Sequence, residues 1–311
     1  GLALLLLILA FSLLSDDFAT LRNSRNIFNQ ITINTILAVG MTFVILVAGI
    51  DLSVGSVMAF ALMTAGVVMT AGDLPVGLTI ALSVLTGLLV GMVSGFFNGW
   101  VSERWRLPSF IVTLGMLNIA RGAALLVTDA EIIYQFPRGF TNFGTSTILG
   151  NTIPLIFLVA IALVAISWFV LARTVFGRLI YAVGNNEEAV RLSGHNPSIY
   201  KVAAFTISGL TAGIAGIINM SRLTIASPIV GIGYELDAIA AVIIGGTSLF
   251  GGKGTIVGTF MGAAIIGVLQ NGLVLMGVGD FLRQMFTGFV IILAVILDYY
   301  RNRLLRFTAE S

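Results

Sequence analysis

Residues 172–201 read ARTVFGRLIYAVGNNEEAVRLSGHNPSIYK. The stretch carries Arg173, Arg178, Glu187, Glu188, Arg191, His195 and Lys201, between apolar runs at 152–171 and 202–221. Each run has about the 20 residues that a helix needs to cross hydrocarbon. The charged insert is too polar to follow them into the bilayer. Asn185–Asn186, Gly194 and Asn196–Pro197 mark its turns and predict a solvent-facing loop that holds a short helix. Such a loop is a handle for something in the cytoplasm.

Working outward, the rest of the chain repeats this contrast in a weaker form. Of 311 residues, 58% are hydrophobic and only 10% charged, against about 25% charged in an average soluble domain. Mean hydropathy is +1.05. A soluble core of this length could not hide so much apolar surface, so the class is an all-α, polytopic transmembrane helical bundle. Continuous apolar runs exclude the alternating ten-residue strands of a membrane β-barrel. With no Cys and one His, the chain offers no thiolate chemistry and no recognisable metal or hydrolytic site. No cofactor, catalytic residue or metal ligand is expected. His195 reads as a surface residue.

Residues 2–14 form an apolar run of thirteen, shorter than a full span. It is expected to be the end of a first span whose start lies before Gly1; a signal peptide is the alternative, without a visible basic segment or cleavage site. After polar residues 15–30, spans are predicted at about 31–50, 53–71, 75–98, 108–128, 152–171, 202–221, 236–250, 255–276 and 281–298, ten in all with the first. The segments at 53–71 and 236–250 are short or interrupted by glycine, and either is a candidate broken or re-entrant helix. The whole chain, 1–311, reads as one transmembrane domain.

The 16 basic residues test this layout. With the N-terminus inside, inner loops hold Arg104, Arg106, Arg173, Arg178, Arg191, Lys201, Lys253, Arg301, Arg303 and Arg306. The outer side holds Arg22, Arg25, Arg138, Arg222 and Arg283, and Arg121 falls within a span. The inward bias predicts that both termini and the 172–201 loop are cytoplasmic, in an inner membrane. The basic excess is thus a signature of topology, and no nucleic-acid partner is expected. Glycine is abundant, at 36 residues. Gly87, Gly91 and Gly95, then Gly209, Gly213 and Gly216, then Gly258 and Gly262 each share a helix face, which lets backbones approach closely.

Three constellations stand out. In Gly49-Ile50-Asp51-Leu52-Ser53-Val54-Gly55-Ser56, a carboxylate lies between two apolar spans. It reads either as a capping turn for a helix starting near Val54 or as a polar lining of a transport path, and the two are compatible. Glu235 and Asp237 are two residues apart, about 200° around a helix, and so form no acid–base dyad; they favour the start of a helix dipole or line an outer vestibule. The glycine-rich run 245–255 fails the phosphate-loop pattern, because Gly254 follows Lys253 and no strand precedes it. It reads as a tight inner turn. Arg121, alone in its span, needs a carboxylate or an interface, or marks the substrate route.

Three long stretches, ILAVGMTFVILVAGIDLSVGSVMA at 36–59, YAVGNNEEAVRLSG at 181–194 and YELDAIAAVIIGGTSLFGGKGTIVGT at 234–259, together resemble the permease subunits of bacterial ABC sugar importers, those for ribose among them. The inner loop looks like a degenerate form of their E-A-A-x-x-x-G coupling motif, through Glu188, Ala189, Val190 and Gly194. The resemblance implies a permease that moves a monosaccharide, ribose or a similar pentose. It also implies two cytoplasmic ATP-binding subunits, a second permease copy and a periplasmic sugar-binding protein, in contact with membrane lipid. Glu187, Glu188, Ala189, Arg191 and Gly194 would then engage the ATPase, which hydrolyses ATP in place of this chain. A neutral, many-hydroxylated cargo calls for a path of hydroxyls, amides and aromatics. Asn34, Thr42, Asp51, Ser53, Asn118 and Arg121 are candidates for that path, with Glu235 and Asp237 in an outer vestibule. The alternatives are a permease of the same superfamily for branched-chain amino acids, nucleosides or another small solute, and an ion-coupled secondary transporter. The latter would want carboxylates in mid-span.

Overall fold

The computed structural model describes residues 1–307 except Asp73 and Asn151; the side chains of Asp280, Ala294 and residues 297–307 lie outside the described set. The C-terminal basic residues of the topology argument fall among these. Most of the described chain is helix. In chain order these are α1 (Leu2–Leu14), α2 (Leu21–Leu46), α3 (Val54–Thr70), α4 (Val76–Trp105), α5 (Ser109–Leu126), α6 (Arg138–Thr145), α7 (Leu155–Arg173), α8 (Val175–Asn185), α9 (Glu187–Leu192), α10 (Pro197–Leu223), α11 (Tyr234–Ile244), α12 (Ile256–Leu275) and α13 (Asp280–Phe307). A two-residue antiparallel ladder pairs β1 (Thr147–Ile148) with β2 (Ile153–Pro154).

Helix α2 is the axis. From Ile31 to Leu46 every residue is buried, the polar Thr32, Asn34, Thr35 and Thr42 among them. Around it pack α10, α12, α11 and α7. The tightest crossing is α10 on α4. A Cβ on Gly91 would run into the backbone of Gly209 and Gly213, and one on Gly209 would run into Gly91 and Gly95. The glycine faces read from the sequence do bring two backbones into direct contact, the geometry by which membrane helices gain dispersion energy. Buried polar groups pin other contacts. Asn23 and Asn271 exchange both amide hydrogen bonds, at 2.8 and 2.9 Å, tying α2 to α12.

The peripheral helices α4, α5 and α7 bury a minority of their length. They present Leu85, Val93 and Phe97, Ile111 and Leu114, and Ile166 and Phe169 outward. A surface this apolar on three helices is one for lipid or for another membrane-embedded chain, and the chain is a multi-pass membrane protein. Among the described residues, six helices are long and apolar enough to cross: α2, α4, α5, α7, α10 and α12. The expected ten crossings are therefore not reached by length alone. α1, with 13 residues, seats Phe11 on Gly272 of α12. The segment predicted at 236–250 stops at Ile244, and a glycine loop follows.

Two expected loops contain helix. Residues 129–151 carry α6, whose Phe140 is buried and whose Phe140 carbonyl accepts a hydrogen bond from Ser221 Oγ. In the 172–201 insert, α8 precedes the expected short helix, and its Ile180 and Val183 are buried. That three-residue apolar spacing is a helical period, masked in the sequence by the Gly and Asn around it.

Candidate functional site

The insert places a two-part handle at one end of the bundle. Asn186 caps α9 through Oδ1, which accepts from Ala189 N at 3.0 Å. Glu187 and Glu188 occupy the first turn, where the helix dipole favours acids. Arg191 reaches both, at 3.3 and 3.5 Å. Gly194 closes the helix at φ +84°, and His195 N donates to Val190 O at 3.2 Å, a left-handed helix stop. Val190 is the buried anchor, in a cluster with Phe43, Leu46, Ile180, Val183 and Ala204. The opposite face is open: Glu188, Ala189 and Arg191 are exposed, and Leu192 is 81% exposed. An apolar leucine among charges, on a face that none of the described residues covers, suits a protein partner. Beside it runs a cleft of ≈ 1270 Å³ whose lining includes Trp100, Arg104, Arg106, Glu187, Arg191 and Ile199.

The second half of the handle was not legible beforehand. Tyr181 Oη donates to Gly254 O at 2.9 Å, and Asn185 Nδ2 to Gly252 O at 3.3 Å. Burial pushes the Tyr181 phenol above its usual range. Gly252 N in turn donates to Leu46 O at 2.9 Å, at the end of α2. Gly184 lies against that same carbonyl, too close for any side chain. The glycine run 245–255 is thus a clasp that joins α8 to the central helix, and Gly251 touches Ala48. It is an inter-helix turn, as its failed phosphate-loop spacing implied.

Ala48 begins the break between α2 and α3, with φ 60°. A broken helix frees backbone N–H groups that need partners inside a membrane. Ile50 N donates to Ser109 Oγ at 3.1 Å, and Leu52 N to Thr113 Oγ1 at 3.0 Å, both on α5. Asp51, 1% exposed, takes the centre. Its Oδ1 accepts from Ser53 N at 2.9 Å and from Ser53 Oγ at 2.6 Å; its Oδ2 accepts from Ser208 Oγ of α10 at 2.9 Å. Asn98 of α4 donates to Ser53 Oγ at 2.9 Å. Helix α3 starts at Val54 with Ser53 as its N-cap residue, but the Ser53 side chain makes no capping bond. The Asp51 carboxylate is therefore a hub for α3, α4 and α10.

The remaining candidates scatter. Thr42 donates to Ala38 O at 2.7 Å and shares a 2.7 Å contact with Thr259 Oγ1. Its one proton is used, so Thr259 is the donor between them and ties α12 to α2. Asn34 is buried, with Nδ2 unpartnered. Asn118 is exposed on α5, its Nδ2 donating to Leu114 O at 3.1 Å. Arg121 holds down the segment before α11 by donating to Pro228 O and Val230 O, with Glu235 within electrostatic reach. Glu235 lies against Gly55 of α3, whereas Asp237 turns to α12 and accepts from Gln270 Nε2 at 2.9 Å. The two acids face different helices, as their spacing requires.

The model of a family described as branched-chain amino acid transport system / permease component matches residues 23–295. The chain is 43% identical over 302 residues to the ribose import permease protein of Haemophilus influenzae, covering 96% of this chain and 91% of that one. It is equally similar to the ribose import permease protein of Escherichia coli K12, at 43% over 303 residues with 95% and 91% covered. It is 39% identical over 287 residues to the D-allose transport system permease protein of the same strain, with 92% and 86% covered. No solved structure matches the chain at a significant level.

Proposed function

The chain belongs to the family of transport-system permease components, and on that premise we propose that it is the transmembrane permease subunit of an ATP-driven importer for a monosaccharide, ribose or a similar sugar. The observation that carries the reading is its likeness, over nearly the whole chain, to import permeases for ribose and allose. The handle gives this a physical form. Helix α9 is rigidly capped, anchored by Val190 and open on its charged face, so a cytoplasmic ATPase can push it as a unit. Glu187, Glu188, Ala189, Arg191 and Gly194 are the proposed contact set. Through Tyr181, Asn185 and Gly252, the clasp delivers that push to the break beside Asp51. Rigid-body displacement of a packed element is how alternating access is driven.

We place both termini and the handle in the cytoplasm, with the ten apolar segments crossing or entering the membrane. α1, α3 and α11 are the shortest of these, and α11 with its glycine loop is the re-entrant one. A periplasmic sugar-binding protein delivers the cargo. Thr42, Asp51, Ser53 and Arg121 already have partners within the chain, and their proposed part is to hold the route in shape. Asn34 and Asn118 keep amide capacity for sugar hydroxyls. Glu235 and Asp237 lie where an outer vestibule would be. A second copy of the chain is the proposed partner of the exposed face of α5, where Gly115 and Gly122 flank Asn118 and meet no neighbour.

The test is uptake by proteoliposomes that hold this chain with its ATP-binding and sugar-binding partners. D-ribose or D-allose should enter only when ATP and both partners are present. Entry driven by an ion gradient without the ATPase would replace this reading with the secondary-transporter alternative.

A further inference from the structure

Lys201 lies in the second turn of α10, and its ammonium sits between carboxylates from two other helices. Nζ is 2.6 Å from Oε2 of Glu187 on α9 and 3.2 Å from Oε1 of Glu103 in the last turn of α4. The Lys201 and Glu103 side chains are only 21% and 17% exposed, so solvent screens this bridge less than a surface pair. Arg191 contrasts with it: its pairs stay within α9, and it is 55% exposed. Among the described residues, the buried side chain of α9 is Val190. Apolar burial is non-directional and lets a helix slide or roll on its seat. An ion pair at hydrogen-bonding distance has direction and resists both.

We propose that Lys201 is the positioning residue that couples movement of α9 to the membrane-spanning helices. A displacement of α9 carries Glu187, which draws Lys201 and with it α10; Glu103 brings α4 along. The two helices then move together, because their glycine faces are in backbone contact. Without the lysine, α9 is pushed but rides over its apolar seat. This inference rests on the handle reading above and adds a second link, from α9 to α10 and α4, beside the one that the clasp makes through α8.

The measurement is sugar taken up per ATP hydrolysed by the reconstituted importer. Lys201→Met keeps the aliphatic stem and removes the charge. Uptake is expected to fall about tenfold, within the range that coupling substitutions span, while hydrolysis stays within about twofold. Lys201→Arg should restore most of the uptake. Adding Glu103→Met to Lys201→Met should lower uptake little beyond the worse single variant, because both act on one interaction. The proposal is overturned if Lys201→Met keeps the wild-type ratio. It is equally overturned if uptake and hydrolysis fall in parallel, the mark of structural support alone, or if the losses of the two variants multiply. An otherwise wild-type complex in which Glu188→Lys leaves uptake intact would instead sink the handle reading itself.

Discussion

Gly194 shows how much one residue can decide. At φ +84° it stands in the left-handed region, yet a Cβ there would meet no atom within 4 Å. Its demand is conformational and not steric, and a left-handed L-residue costs roughly 1–2 kcal/mol. Gly194→Asn should therefore keep much of the uptake, and Gly194→Val should lose nearly all of it while the protein remains in the membrane; a transport assay with immunoblotting separates the two. Asp51 makes the opposite kind of demand. Three donors converge on its carboxylate, and an amide would turn an N–H toward one of them. Bonds to a charged acceptor contribute about 1.5–3 kcal/mol each, so Asp51→Asn should lower the thermal midpoint of the purified protein by several degrees. An unchanged midpoint would show that the hub holds little. In the sequence, Asp51 and Ser53 were visible as a polar break. Ser208, Asn98, Ser109 and Thr113 were not, since each is an ordinary small polar residue until folding brings it to the break.

Among the elements, α4 and α10 form the contact most exposed to disruption. Their glycines were legible because spacings of three and four residues share a helix face; which helix each face meets was not. Gly209→Leu would drive a side chain into the backbone of Gly91 and Gly95, where neither chain can retreat. It should abolish accumulation in the membrane, whereas Gly122→Leu, on the open face of α5, should leave the isolated chain intact and disturb only its pairing with a second copy. Membrane abundance and size-exclusion profiles distinguish these outcomes. Helix α11 carries the contrasting lesson. The predicted segment continues to Phe250 in the sequence, but the helix stops where Gly246 turns left-handed at φ +89° and Thr247 N donates back to Val242 O at 3.1 Å.

For the whole molecule, the lack of cysteine makes orientation measurable with single introduced thiols. Leu192→Cys should be labelled by a membrane-impermeant maleimide only from the cytoplasmic side, and Glu131→Cys only from the outside. Labelling of Leu192→Cys from outside would overturn the proposed topology and the handle with it. That this chain enters a membrane as helices, and the expectation that 172–201 stays out, came from the sequence alone: apolar runs of spanning length are interrupted there by a charged stretch. Tertiary structure alone decided that the handle, the glycine clasp and the Asp51 break form one connected path. Their links are backbone carbonyls and neutral or singly charged side chains from segments up to about 200 residues apart, and such pairings carry no periodicity to read.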